Sequence, residues 1–207
     1  MPSIYQLKPA FQNALRPLVS RLFKMGVTAN QVTISALLIS VFLSAFLYFY
    51  FLTHPPSWVL LLFPMWMLCR MAFNAIDGML AREFNQQSKL GAFYNELCDV
   101  IADTALYLSL AALGLISTAL LLLVCFLAIL SEYAGVMAPL IGAERRYDGP
   151  MGKSDRAAWF SLMIIVIWLF PRFSDHLDAL VYFNHGLLSV ISLLLILTIF
   201  NRIKNSL

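Results

Sequence analysis

Six apolar runs, at residues 31–53, 57–80, 89–113, 116–142, 156–171 and 182–201, leave this chain few folds to choose from. A helix needs about 20 residues to cross a hydrocarbon layer of about 30 Å. Inside that layer each backbone amide must find its partner within the protein. The runs therefore predict an all-α integral membrane protein with six transmembrane helices, the fifth being the shortest. Composition agrees, since 61% of the residues are apolar and only 12% are charged, far from the balance of a water-soluble domain.

Ahead of the first run, Ile4, Leu7, Phe11, Leu15, Leu18 and Leu22 recur at helical spacing, with Lys8, Arg16, Arg21 and Lys24 between them. That pattern predicts an amphipathic helix at the membrane interface over residues 1–26. A secretory leader would instead show an unbroken apolar core. With no internal repeat, one membrane domain covers 1–207, built from this helix and a six-helix core over 27–207.

Orientation follows from Lys and Arg. With both ends in the cytoplasm, the inner segments collect Lys8, Arg16, Arg21, Lys24, Arg82, Lys89, Arg145, Arg146, Lys153, Arg156, Arg202 and Lys204. Only Arg172 falls outside, and Arg70 lies within the second span. The net charge of +3 suits an anionic lipid surface, and no nucleic-acid module is recognisable. Cys69, Cys98 and Cys125 fall inside spans without CxxC spacing and read as reduced packing residues.

Carboxylates inside apolar runs are costly and usually functional. If the chain is helical on both sides of residues 83–87, Arg70, Asn74, Asp77 and Ala81 share one stripe. Asn95, Glu96, Asp99 and Asp103 share another, within an arc of roughly 100°. Both stripes open toward the cytoplasmic leaflet. Together they form an oxygen-only donor set, which fits Mg²⁺ or Mn²⁺ and not zinc. Glu132 is the remaining acid inside a span; it either pairs with Arg70 or binds acceptor hydroxyls.

The stretch N-A-I-D-G-M-L-A-R, eight residues, then G-A-F-Y-N-E-L-C-D resembles the signature of the CDP-alcohol phosphotransferase family, D-x2-D-G-x2-A-R-x8-G-x3-D-x3-D. Asp77, Gly78, Ala81, Arg82, Gly91 and Asp99 match it at the required spacings. T-A-N-Q-V-T, Thr28 to Thr33, resembles the family's T-P-N-x-x-T segment, with Ala29 in place of proline. Asn74 and Asn95 stand where the signature has aspartates; each removes a charge and keeps an oxygen donor. Glu96 and Asp103, on the same face, are expected to return those charges.

The resemblance implies a transferase that moves a phosphatidyl-type group from a CDP-linked lipid, such as CDP-diacylglycerol, to an alcohol and releases CMP. It implies metal ligation by Asp77, Asp99, Asn74, Asn95, Asp103 and Glu96, and Asp99 as the catalytic base. CDP would be held by Asp77, Gly78, Ala81, Arg82 and Gly91, with Asn30 and Thr33 nearby. The cationic segment Glu144 to Arg156 supplies Arg145, Arg146, Lys153 and Arg156 for an acceptor that is itself phosphorylated, such as glycerol phosphate or inositol phosphate. Members of the family pair as homodimers. Two other readings stay open: a catalytically silent CDP-lipid binder, because of Asn74 and Asn95, and an ion- or proton-coupled transporter, which would predict acids at mid-membrane and repeated halves.

Overall fold

The computed structural model describes residues 8–207, and among these the regular structure is entirely helical. Seven α-helices follow in order: α1 (Lys8–Lys24), α2 (Ala29–Phe51), α3 (Leu62–Glu83), α4 (Lys89–Ser109), α5 (Thr118–Met137), α6 (Lys153–Leu169) and α7 (Leu177–Lys204). Short 3-10 turns extend α3 at its start and α4, α5 and α6 at their ends. Gly114 and Gly142 close the turns after α4 and α5 with positive φ of 65° and 83°, a conformation glycine adopts without a Cβ penalty.

Five helical segments are long and apolar enough to cross a membrane: Ala29–Phe51, Trp58–Glu83, Thr118–Ile141, Lys153–Arg172 and Leu177–Lys204. The expected third span, α4, falls outside this group because Glu96, Asp99 and Asp103 interrupt its apolar face. Its burial explains how it tolerates them: α4 packs along α2 and also touches α5. The remaining main contacts join α5 to α7, α2 to α3 and α3 to α6. Phe42, Phe49, Leu122, Phe126 and Leu193 are more than half exposed on the outside of the bundle, as expected where the surrounding medium is lipid.

The larger apolar core fills the end of the bundle away from the α3–α4 turn. Leu47, Phe63, Leu106, Leu121, Met163, Leu188 and Leu195 are buried there, and Tyr107 stacks on Phe160 with ring centroids 4.0 Å apart. A second, smaller cluster joins Val19 of α1 to Val32, Ile76, Met79 and Leu80. Through it, α1 docks on α3. Phe23 stacks on Phe84 at 4.3 Å, and Arg16 meets Glu83 at 3.0 Å, which holds the guanidinium pKa above its ordinary value. The helix expected over 1–26 is seen as Lys8–Lys24; Leu15 and Leu22 of its apolar stripe pack beside Val19 on protein, while Phe11 and Leu18 stay exposed. Ile4 and Leu7 lie outside the described residues.

The turn between α3 and α4 sets the register of the site. Asn85 takes φ 55°, which asparagine tolerates better than most residues. Gln86 then accepts a hydrogen bond from the backbone N–H of Ala29 at 2.7 Å. Thr28 and Gln31 cap the same helix start reciprocally, a capping box that satisfies orphan amides. In this way the start of α2 is tied to the end of α3 and the start of α4.

Candidate active site

At that end of the bundle the chain gathers its buried charged groups. Asp77 is buried in α3, with Oδ2 2.8 Å from the Thr33 hydroxyl of α2. The same hydroxyl lies 3.1 Å from the Ala29 carbonyl, so one proton is shared between two acceptors. A methyl group at Gly91 would sit 2.8 Å from Asn30 Oδ1 and 2.9 Å from Ser88 Oγ. Gly91 thus lets the α2 amide lie against the first turn of α4. One at Gly78 would sit 2.9 Å from Arg82 Nη2, so the exposed Arg82 folds back over Gly78. Among the described residues Arg82 has no ion-pair partner. The structure thus joins Thr33 to Asp77, Asn30 to Gly91 and Gly78 to Arg82, with Ala81 half-buried.

The other side of the site is a lattice of ion pairs. Asp103 is buried and pairs with Arg70 and, at 3.6 Å, with Arg156. Asp99 pairs with Lys153 and lies 3.4 Å from Arg70. Glu96 pairs with Arg145. Lys153 and Arg156 lie in the first turn of α6, where the helix dipole disfavours cations. The acids of α4 and α5 offset that cost. Asp155 accepts a hydrogen bond from the Gly152 N–H at 3.0 Å and fixes the helix start.

The connection between α5 and α6 is held down by two close approaches. A Cβ at Gly135 would lie 2.5 Å from the Arg146 carbonyl oxygen, and one at Gly149, where φ is +121°, 2.6 Å from Thr198. Arg146 donates through its backbone N–H to Gly135 and through its side chain to the Asn205 carbonyl. Of the four expected acceptor cations, Lys153 and Arg145 face the α4 acids, Arg146 turns toward the end of α7, and Arg156 is almost wholly buried.

Two expectations change. Glu132 does not pair with Arg70; its partners are Arg156 at 2.9 Å, Arg202 at 3.3 Å and Arg145 at 3.8 Å. Arg70 is taken instead by the nearer acids of α4, one and two turns along. Glu96 and Asp103, expected to replace the missing metal charges, are each engaged by guanidinium groups. In the sequence Arg202 is one inner-side charge among many. Its site role shows in its burial and in its bonds to Ser131 and Asp148 carbonyls, and its one sequence signal is an arginine within a helical run.

The donor set still suits a hard cation. Among the described residues no three His, Cys, Asp or Glu side chains form a metal cluster. A divalent ion would rest on two carboxylates, Asp77 and Asp99, with the half-buried amides of Asn74 and Asn95. Water and substrate phosphates would complete its shell, as is usual for Mg²⁺.

Such a bundle, with buried acids and arginines at one end of apolar helices, is that of a membrane transferase. The chain belongs to the CDP-alcohol phosphatidyltransferase family, which matches residues 26–200. It is thereby an enzyme of phospholipid synthesis. It is 42% identical over 203 residues to the inner membrane protein YnbA of Escherichia coli (strain K12), covering 98% of this chain and 96% of that protein. Its fold is similar to crystal structures of the Mycobacterium tuberculosis phosphatidylinositol phosphate synthase. With CDP-DAG bound the TM-score is 0.72 at 20% identity, covering 92% of both chains. In complex with manganese and citrate the TM-score is 0.69 at 19% identity, covering 92% of this chain and 87% of that one.

Proposed function

We propose that the protein transfers a phosphatidyl group from a CDP-linked lipid, CDP-diacylglycerol, to the hydroxyl of a phosphorylated alcohol at the cytoplasmic leaflet. Glycerol phosphate and inositol phosphate are the acceptors that fit. The observation that carries this reading is the meeting of Asp99 with Lys153 and Arg70, in a site whose arginines keep unsatisfied donors. Among the described residues, Arg145, Arg146 and Arg156 each have a buried Nε–H without an acceptor. Buried donors left unpaired are costly, and phosphate oxygens are the acceptors guanidinium groups favour.

Arg82, with Gly78 beneath it and Gly91 on α4, holds the CDP portion, with Asn30 and Thr33 at its edge. Asp77, Asp99, Asn74 and Asn95 would hold Mg²⁺ or Mn²⁺, which when bound neutralises the pyrophosphate and the leaving CMP. Asp99 accepts the proton of the acceptor hydroxyl, whose oxygen bonds to the lipid-side phosphorus as the bond to CMP breaks. Lys153, paired with Asp99, brings the acceptor phosphate next to that base. The solved relative with CDP-DAG and the one with manganese support the same donor and a divalent metal here.

The test is CMP release by purified protein given CDP-diacylglycerol, Mg²⁺ or Mn²⁺, and a panel of alcohols with and without phosphate. Turnover with a phosphorylated acceptor is expected. Turnover only with uncharged alcohols, or CMP-free turnover, would overturn the reading.

A further inference from the structure

Glu132 is not used by the reaction as derived, yet three guanidinium groups from three separate segments meet on it. Arg156 of α6 lies at 2.9 Å, Arg202 of α7 at 3.3 Å, and Arg145 of the α5–α6 connection at 3.8 Å. Arg145 and Arg156 have second carboxylate partners in Glu96 and Asp103, whereas the other acceptors of Arg202 are neutral carbonyls, so Glu132 is the one carboxylate that all three share among the described residues.

The arginines do not depend on Glu132 for their placement. Arg202 also donates to the carbonyls of Ser131 and Asp148. Arg156 is held by the Met151 carbonyl, the Ser131 hydroxyl and Asp103. Arg145 pairs with Glu96 and stacks over Tyr147 at 4.5 Å. Arg145 and the almost wholly buried Arg156 nonetheless keep Nε–H groups without an acceptor. The Arg145 and Glu132 side chains are 25% and 15% exposed, against 2% for Arg156 and Arg202, so an incoming anion meets Arg145 and the carboxylate before the two buried arginines.

We propose that Glu132 is a specificity-determining residue that stands in for the acceptor's phosphate: it holds the arginine cluster until a dianion displaces it. The inference rests on the phosphorylated-acceptor reading and deepens it. A phosphate, with more charge and more oxygens than a carboxylate, outcompetes Glu132 for three guanidinium groups. A carboxylated alcohol only matches it, and a neutral alcohol leaves it in place. The residue thereby selects phosphate over carboxylate at the acceptor.

The experiment uses the purified full chain and its Glu132→Gln variant, with inorganic phosphate as probe. Thermal unfolding is followed against phosphate concentration in metal-free buffer, and KM is measured for CDP-diacylglycerol and for glycerol phosphate. The stabilisation midpoint is expected at about three- to tenfold lower phosphate in the variant, the worth of about one net hydrogen bond. KM for the acceptor should fall by a similar factor while donor KM holds. A residue that merely organised the arginines would give the opposite sign. An unchanged or higher midpoint, or no phosphate response in either protein, overturns the inference. Should Glu132→Gln fail to fold, Glu132→Asp pulls the carboxylate back by one methylene and must lower the midpoint by a smaller factor; a rise overturns it. If the wild type accepts only uncharged alcohols, the phosphorylated-acceptor reading fails by itself, and the phosphate midpoint still decides the role of Glu132.

Discussion

The two halves of the site are built on opposite plans. Where α2 and α3 meet the first turns of α4, few charges are paired: Arg82 is exposed and without an ion-pair partner among the described residues, and Asn74 and Asn95 replace charges with amides. Where α5, α6 and α7 meet Arg70 of α3 and Glu96 and Asp103 of α4, most charges are already matched, Glu132, Arg145, Arg156 and Arg202 completing the set. A half left open is completed by what binds there, here a nucleotide and a cation. A half that is paired beforehand is rigid and selective, because each internal bond must be exchanged for an equivalent one. Removing one partner of such a buried pair also strands the other charge, which is why that half is tied to stability.

The largest effect should come where the halves meet. Asp99→Asn is expected to lower the rate of CMP release by about 10²–10⁴-fold, the usual worth of a general base, with the fold retained. Normal turnover in that variant would break the assignment of Asp99. Next, Arg70→Met leaves Asp103 buried with Arg156 as its one remaining close partner and should cost roughly 3–5 kcal/mol in reversible unfolding. Its metal titration should still follow Asp77 and Asp99; a shift in metal affinity as large as that of Asp77→Asn would erase the distinction drawn here. Gly91→Ala pushes a methyl against Asn30 and Ser88. A loss of about 1–3 kcal/mol is expected from such overpacking, and Asn30→Ala in the same chain should recover part of it. Arg16→Ala breaks a half-exposed pair with Glu83 and a hydrogen bond to Asn13, so the smallest change in unfolding midpoint of the series is expected, and one that salt screens away.

How much of this was legible in the sequence depends on whether a feature is set within one helix or between helices. The starts of α2, α4 and α6 follow from Thr28, Ser88 and Gly152 with Asp155, and the α3 and α4 stripes follow from the 3.6-residue repeat. Within α3, Gly78 and Arg82 meet one turn apart, as a local spacing can show. The partners of Glu132 were not legible. Which arginine it finds depends on how α5 is rotated against α6 and α7, and an apolar helix with hydrophobic residues on all sides leaves that rotation undefined. Likewise Glu96 and Asp103 share the face of Asp99, but only the neighbouring helices decide that they meet guanidinium groups. The docking of α1 through Val19 was hidden because its apolar stripe suits lipid and protein equally.

The separation of the two halves is tested most directly by measuring KM for CDP-diacylglycerol and for the phosphorylated acceptor in Arg82→Ala and Lys153→Ala side by side. Arg82→Ala should raise only the donor KM and Lys153→Ala only the acceptor KM, each by about tenfold or more, as loss of a charge-assisted hydrogen bond implies. If both variants raise the same KM, or each raises both equally, the two-sided account is contradicted.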